Sequence, residues 1–95
     1  MLTMEQIERD YLIEKMADNL PVFRAKLRIS QDRLASVIGS TRFTVMQIET
    51  KKRKMTWQMF MLLVLIFDKN CETAPLLRAL EIYTDELDAL MMNKK

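Results

Sequence analysis

The sequence contains no histidine, one cysteine, one glycine and two prolines among its 95 residues. Without histidine, the chain lacks the commonest general base and every Ser-His or Cys-His nucleophile pair. Cys71 alone can form neither an internal disulfide nor a zinc site. A single glycine leaves few positive-φ positions for tight hairpins, which favours an all-helical (all-α) fold. We therefore expect no common enzyme class, no catalytic residues, no metal and no cofactor.

The bulk composition is typical of one small globular domain. Apolar residues make up 49% of the chain and charged residues 29%, as in folded proteins. The N-terminus lacks the charged and then apolar pattern of a signal peptide. Together with the lone cysteine, this predicts a cytoplasmic, reducing location.

The basic charge is concentrated in the middle third of the chain. Residues 20–56 carry nine Lys or Arg against two acidic residues. By contrast, residues 1–19 carry two against five, and residues 57–95 carry four against six. A concentrated basic region is expected where the partner is a polyanion such as nucleic acid. A solvated surface that is merely basic has the same composition, so charge alone leaves both interpretations open.

Helical periodicity predicts an amphipathic N-terminal helix within residues 1–18. The apolar residues near helical spacing there are Met4, Ile7, Tyr11 and Met16. Asn19 is predicted to cap a second helix that runs to about Arg28, with Pro21 in its first turn, where a missing N–H costs nothing. The inward residues of this second helix are expected to be Leu20, Phe23 and Leu27.

A short helix is predicted next, at residues 31–38, with Ser30 as its N-cap. Gly39, the only glycine, stands just past its end. A glycine in that place usually takes the left-handed conformation that closes the last turn. The inward residues are expected to be Leu34, Ala35 and Ile38.

A second short helix is predicted at residues 42–50, capped by Ser40 or Thr41. Its inward residues are expected to be Val45 and Ile48. The basic run KKRK at residues 51–54 follows as a loop.

Residues 55–67 form a segment that is apolar almost all round. Its 13 residues fall short of the roughly 20 that span a bilayer, so no membrane association is expected. A helix of this kind must be covered on more than one side. The surplus apolar residues, which need the terminal helices or a second subunit, include Met59, Leu62, Leu65 and Ile66.

The last segment, residues 71–95, is predicted to form a helix capped by Thr73 with Pro75 in its first turn. Thr84 and Asp85 are candidates to break or kink it. The helix carries a heptad-like seam made by Leu76, Leu80, Tyr83, Leu87 and Leu90. The seam either packs on the chain's own apolar helix or forms a dimer.

A longer pattern spans both short helices and their flanks. Its members are Leu20, Phe23, Arg24, Leu27, Ile29, Ser30, Gln31, Leu34, Ala35, Gly39, Val45, Ile48, Glu49, Lys52 and the apolar helix from Trp57 to Phe67. With this pattern, residues 20–67, about half of the chain, resemble the Cro/repressor type of helix-turn-helix, the lambda-repressor-like DNA-binding domain also called the XRE type. The resemblance implies a compact helical bundle around a helix-turn-helix core, which we place at residues 19–70. With the extra N- and C-terminal helices, we expect about five to six helices in all.

The resemblance also implies roles for individual residues. Bases would be contacted by Arg42, Phe43 and Gln47 at the start of the recognition helix. DNA phosphates would be contacted by Gln31, Thr41, Thr44, Lys52, Arg53 and Lys54. Arg24 and Glu49 resemble a partly buried ion pair that ties the first helix of the domain to the end of the recognition helix.

Each of these roles has a simpler alternative. Arg42 can grip guanine bidentately, or it can touch only a phosphate. Phe43 can pack on a thymine methyl group, or it can lie against a neighbouring helix. Residues 51–54 can bind phosphates, or they can form a solvated charge cluster.

Three positions depart from the family pattern. Arg28 and Lys51 stand where the family favours glycine, and Met55 replaces a common proline. A positive φ is costly for any residue other than glycine, so the first two put the usual loop geometry in question.

These observations predict sequence-specific binding of double-stranded DNA by a bacterial or phage transcriptional regulator. Such proteins usually act as homodimers on a palindromic operator. An autoregulating antitoxin, with a protein partner, would have a similar sequence. The alternative is a protein-interaction module that uses the same fold without binding DNA. An enzyme fits least, because Asp85 and Asp88 on an acidic helix are expected to be solvated charge.

Overall fold

The computed structural model describes residues 5–92, with side chains through residue 89, and every regular element in that range is an α-helix. The six helices are α1 (Gln6–Leu27), α2 (Gln31–Ile38), α3 (Arg42–Glu49), α4 (Trp57–Asp68), α5 (Ala74–Ala79) and α6 (Asp85–Met92). The all-α fold class is thereby confirmed for the described residues.

α1 is one continuous helix of 22 residues, so the helix boundary predicted at Asn19 is wrong. Asn19 caps nothing, and its side-chain Nδ2 donates a hydrogen bond to the Lys15 carbonyl at 2.8 Å. Pro21 lies inside the helix, where its ring removes one backbone hydrogen bond at a cost of about 3 kcal/mol. Continuity keeps the apolar residues on both sides of Pro21 on one face, and each such buried side chain contributes roughly 1.5–3 kcal/mol.

The apolar positions predicted for the N-terminal helix are only partly part of the core: Met16 is fully buried, but two others are not. Ile7 and Tyr11 are exposed, at 82% and 60% of their surface. Met4 lies outside the described residues. The face that packs on the core is rotated by about one residue and consists of Leu12, Ile13, Met16, Ala17, Leu20 and Phe23.

The two short helices form as predicted. Ser30 caps α2 by accepting a hydrogen bond from the Arg33 N–H at 3.0 Å, and Gly39 ends it at a φ of 70°. Thr41 caps α3 by accepting from the Thr44 N–H at 3.2 Å. α2 and α3 pack against each other, and both rest on the rest of the core. The side chains that anchor them there are Leu34, Ala35, Val45 and Ile48.

α4 lies at the centre of the molecule and contacts α1, α2 and α5. Thr56 caps it, and Phe60, Leu63, Val64 and Phe67 are fully or almost fully buried. The Phe67 ring stacks on Phe23 of α1 with the ring centroids 4.5 Å apart. Aromatic pairs at such a distance add to the stabilisation that burial alone supplies.

The neighbouring helices cover most of α4, although not all of it. Met59 and Ile66 are half-buried, whereas Leu62 and Leu65 remain exposed at 37% and 45%. The chain's own helices therefore supply most of the cover that the sequence requires for this segment.

The C-terminal segment forms two helices rather than one continuous helix, and the second begins at Asp85, next to the residues named as candidates for a break. The break falls before Thr84, because Glu81 adopts a left-handed φ of 60° that ends α5. Thr84 then caps α6 by accepting from the Leu87 N–H at 3.2 Å. Thr73 does not act as a side-chain cap, because its own backbone is helical and its buried hydroxyl instead donates to the Phe67 carbonyl at 2.6 Å.

The predicted seam is used inside the chain. Tyr83 and Leu87 are buried, and Leu76 and Leu80 are half-buried against the core. The side chain of Leu90 lies outside the described part of the chain. α5 packs on α4, so part of this seam packs within the chain. Within residues 5–92, no helix is both long enough and apolar enough to cross a membrane.

Candidate nucleic-acid interface

One face of α3 is exposed to solvent and carries both polar and apolar side chains, and the opposite face is anchored in the core. Val45 and Ile48 are 1% exposed and fix the helix on α1 and α2. The residues that point the other way form what we call the α3 outer face: Arg42, Phe43, Met46 and Gln47. Phe43 is 58% exposed, so it is not buried against a neighbouring helix. Met46 was not predicted as part of this face, although its spacing of three from Phe43 indicates it.

The N-terminus of α3 is organised by two threonines. The Thr41 hydroxyl accepts from the Thr44 N–H and lies 3.1 Å from the Thr44 hydroxyl, to which it can donate. Thr41 is exposed and Thr44 is half-buried. This leaves the first N–H groups of the helix beside two hydroxyls, an arrangement that suits an anion such as phosphate.

An ion pair joins α1 to the end of α3. Arg24 Nε and Nη2 donate to the two oxygens of Glu49 at 2.7 and 3.0 Å, a bidentate geometry. Gln31 Nε2 at the start of α2 donates to the same carboxylate at 2.9 Å. The side chain of Glu49 is only 6% exposed and that of Arg24 18%. Three helices are thus held at one buried carboxylate, and one of the two amide hydrogens of Gln31 is engaged there.

Two residues with side chains, one on each side of the α2–α3 pair, take a left-handed backbone conformation that glycine adopts without strain. Arg28, just after α1, has a φ of 59°, and Lys51, in the loop after α3, has a φ of 67°. For residues with a β-carbon this conformation costs roughly 1–2 kcal/mol. Both positions therefore carry backbone strain. Met55, just after the loop, is buried in the core, 2% exposed.

The basic loop, residues 51–54, forms ion pairs with α1. Lys51 Nζ lies 2.8 Å from Asp18 Oδ1 and also bonds the Glu14 carboxylate. Lys54 Nζ lies 2.6 Å from Asp10 Oδ1. The hydrogen bonds that Lys51 donates to Asp18 and Glu14 raise the pKa of Lys51. The hydrogen bond that Lys54 donates to Asp10 lowers the pKa of Asp10, and a hydrogen bond from Gln6 lowers it further. Two of the four loop cations are thus paired within the chain.

The other two cations of the basic loop are directed elsewhere. Arg53 Nε donates to Gln47 Oε1 at 3.0 Å, which ties the loop to the α3 outer face. The backbone N–H groups of Lys52 and Arg53 both donate to the Gln47 carbonyl. Lys52 is exposed and makes no ion pair with any residue in the described ranges. Lys52 and Arg53 therefore carry the positive charge that is available beside α3.

The pairing of the basic loop with α1 was not anticipated from the sequence. The carboxylates Asp10, Glu14 and Asp18 recur every four residues, a spacing that places them on one side of a helix. That spacing was readable. Their partners stand 33 to 44 positions further along the chain, and local patterns do not identify contacts over such a separation.

A separate apolar groove lies between the start of α1 and the α5–α6 connection. It encloses about 480 Å³. Ile7, Tyr11 and Leu12 supply its apolar lining, and Glu8, Glu81 and Glu86 also line it. Among the residues that the structure describes, no group of His, Cys, Asp or Glu side chains has the arrangement of a metal site.

Comparison of the chain with protein-family models, with curated proteins and with solved structures finds no match. The resemblance to the Cro/repressor type of helix-turn-helix therefore depends on the residues and geometry described above.

Proposed function

We propose that this protein binds double-stranded DNA sequence-specifically through a lambda-repressor-like helix-turn-helix formed by α2 and α3, as a bacterial or phage transcriptional regulator. α3 is the recognition helix and lies in the major groove, while α2 crosses the phosphate backbone. Arg42, Phe43 and Gln47 contact base edges. An arginine can bind the two acceptors of guanine, and Phe43 can pack on a thymine methyl group.

The observation that carries the proposal is the α3 outer face. A small protein gains stability by burying large apolar side chains, yet Phe43 is left 58% exposed between Arg42 and Met46 on a helix whose opposite face is firmly anchored. The face combines a cation, an aromatic ring and an amide, the groups that read base edges in a major groove. It is also bordered by Lys52 and Arg53, which suits a partner with a charged backbone.

Residues proposed to contact phosphates flank the α3 outer face at both ends of the helix. Thr41 and Thr44 lie at the N-terminus of α3, and Lys52, Arg53 and Lys54 lie in the basic loop after its C-terminus. Gln31 keeps one amide hydrogen for a phosphate while the other bonds Glu49. Such contacts position the protein on the duplex and supply affinity that depends on salt.

We propose further that the protein binds a palindromic operator as a homodimer. One short recognition helix gives limited affinity, and two-fold symmetry doubles the contacts on half-sites about one helical turn apart. Leu62 and Leu65, three residues apart on α4, remain exposed and supply apolar surface for such an interface.

A protein-interaction module is the second candidate, and the groove beside Ile7 and Tyr11 favours it. A lining of apolar residues and three glutamates suits a basic amphipathic segment of another protein. An autoregulating antitoxin would combine both functions, with DNA bound at α3 and a protein partner bound in the groove.

Selection of duplexes from a random DNA pool tests the proposal. The purified protein is used at roughly physiological salt, which suppresses nonspecific phosphate binding. Circular dichroism of the same sample confirms that the helices are formed. The matched control is Phe43→Ala together with Arg42→Ala, which removes two side chains of the α3 outer face and leaves its buried residues in place.

The proposal predicts that the wild-type protein enriches a motif with two inverted half-sites and that the control variant enriches none. A single enriched half-site would retain DNA binding and exclude the dimer. Folded wild-type protein that enriches no motif would contradict DNA binding and favour the protein-interaction module.

A further inference from the structure

Three carboxylates of α1 form ion pairs with lysines of the basic loop, the loop that is proposed to contact DNA phosphates. Asp10, Glu14 and Asp18, which we call the acidic stripe, bond the ammonium groups of Lys51 and Lys54. We infer that the acidic stripe is an internal counter-charge that competes with DNA phosphates for the basic loop and so sets the affinity and the salt dependence of DNA binding. The inference depends on the proposed DNA binding and adds a regulatory element to it.

The geometry of the stripe matches the loop at more than one point. Lys54 meets Asp10, and Lys51 meets Glu14 and Asp18, about one and two helical turns further along α1. The three carboxylates lie on one side of α1 because they recur every four residues. An anionic row of this kind presents the loop with regularly spaced charges, as a nucleic-acid backbone does.

The strained backbone at Lys51 indicates that its side chain has a role at this position. Lys51 has a φ of 67°, a conformation that glycine adopts without strain. Glycine at this position would have no ammonium group to reach α1. The chain therefore accepts backbone strain while gaining two carboxylate contacts, and those contacts raise the pKa of Lys51, with Asp18 the larger cause.

The contacts are also exposed enough to exchange. The side chains of the pairs are between 39% and 61% accessible to solvent. Surface ion pairs are weak and are screened by salt, so a phosphate can displace a carboxylate without unfolding the domain. The stripe therefore tunes binding rather than preventing it.

Counterion accounting gives the expected sign of the salt effect. A free lysine that binds a phosphate releases a cation from DNA, and this release makes affinity fall with salt. A lysine that leaves a carboxylate to bind a phosphate exposes that carboxylate, which takes up a cation in return. The acidic stripe therefore makes the salt dependence shallower as well as the affinity lower.

The test compares a stripe variant, Asp10→Asn with Glu14→Gln and Asp18→Asn, with the wild-type protein. The control variant is Glu5→Gln with Glu72→Gln and Asp85→Asn, which changes the net charge equally at exposed carboxylates that do not contact the basic loop. Fluorescence anisotropy measures the affinity for the duplex enriched by selection and for a random-sequence duplex of the same length, from about 50 to 300 mM salt.

The stripe variant is expected to bind both duplexes about tenfold more tightly at the lower end of this range. The slope of log affinity against log salt should steepen by up to roughly 2 per protomer, about 0.9 for each of two released lysines. The control variant should shift affinity much less, because its charges do not contact the loop. Addition of Lys51→Gln and Lys54→Gln to the stripe variant should abolish the gain.

Equal or weaker binding by the stripe variant would overturn the inference, since it would mean that the carboxylates hold the loop in its binding conformation. If the wild-type protein shows sequence preference while the stripe variant gains nothing, only this inference fails. If neither protein binds any duplex at low salt while both remain helical, the proposed function fails and the inference fails with it.

Discussion

At the scale of single residues, the carboxylate of Glu49 has the most demanding environment at the candidate interface. It is nearly buried and accepts three hydrogen bonds, two from Arg24 and one from Gln31. Each charge of this pair neutralises the other, and either charge left alone in a buried site would be strongly unfavourable.

Glu49→Ala is expected to destabilise the protein by about 3 kcal/mol, since it leaves the Arg24 guanidinium uncompensated. Urea unfolding followed by circular dichroism measures the change, with Glu72→Ala at an exposed carboxylate as the control. The double variant Arg24→Met with Glu49→Leu should recover part of the loss. An unfolding midpoint unaffected by Glu49→Ala would show that the ion pair has no structural role.

Arg28 offers a test of backbone strain. Arg28→Gly is expected to stabilise the protein by roughly 0.5–1 kcal/mol, because relief of the left-handed strain exceeds the entropy that glycine loses on folding. Arg28→Ala keeps the β-carbon and should give no gain. Equal unfolding free energies for the two variants would mean that the conformation at Arg28 is not strained.

The residues of the site were predictable where their role follows from local order in the sequence. Ser30 and Thr41 cap the starts of α2 and α3, and Gly39 ends α2. Each forms a hydrogen bond with a backbone group within five residues. The exposure of Phe43 follows from the inward positions of Val45 and Ile48 on the same helix. Gln47, by contrast, is bonded to Arg53 across the end of α3, which helical periodicity does not reveal.

At the scale of elements, the main difference from the sequence prediction is the continuity of α1. Asn19 and Pro21 are the residues expected at a helix start, and local preference alone places a boundary there. The buried face that runs from Leu12 through Leu20 to Phe23 outweighs that preference. Tertiary burial therefore decides the element, and a local pattern could not have revealed it.

Pro21→Ala distinguishes the two descriptions of α1. Because Pro21 lies inside a helix, the substitution should restore one backbone hydrogen bond and stabilise the protein by about 1–3 kcal/mol. Pro75→Ala is the matched control, since Pro75 lies in the first turn of α5, where proline costs little. Urea unfolding of both variants that shows no difference from wild type would place Pro21 at a helix start instead.

The connection between α5 and α6 depends on a hydrogen bond whose strength depends on pH. The Tyr83 hydroxyl donates to Asp88 Oδ1 at 2.6 Å, and this bond, with burial, raises the pKa of Tyr83 to about 12. Because the pKa is raised in the folded state, the stabilisation is fully present below pH 10 and is lost as the pH rises toward 12.

Tyr83→Phe removes this bond and should destabilise the protein by roughly 1–2 kcal/mol at neutral pH. The difference in unfolding free energy between wild type and variant should stay constant from about pH 7 to pH 9 and shrink only above pH 10. Urea unfolding at each pH provides the comparison. A difference that already shrinks below pH 9 would contradict the Tyr83–Asp88 bond.

At the scale of the whole molecule, the charge distribution along the sequence and the charge distribution in space differ. Acidic and basic thirds are separate in the sequence, yet α1 brings Asp10 and Asp18 onto the basic loop. Within the basic loop, this leaves Lys52 and Arg53 as the cations that are not paired with a carboxylate of the described residues. The sequence predicted a basic middle third, and it did not reveal that two lysines of this region are paired with carboxylates of α1.

The measurement that tests the central claim most directly compares Arg42→Ala with Lys52→Ala on the selected duplex and on its single base-pair variants. If α3 reads bases, Arg42→Ala should abolish discrimination at one position, a loss of about 1–3 kcal/mol there. Lys52→Ala should weaken binding to every duplex alike and lower the salt slope by about 1 per protomer. Uniform weakening by both substitutions would show that Arg42 contacts only the backbone and would contradict base reading by α3.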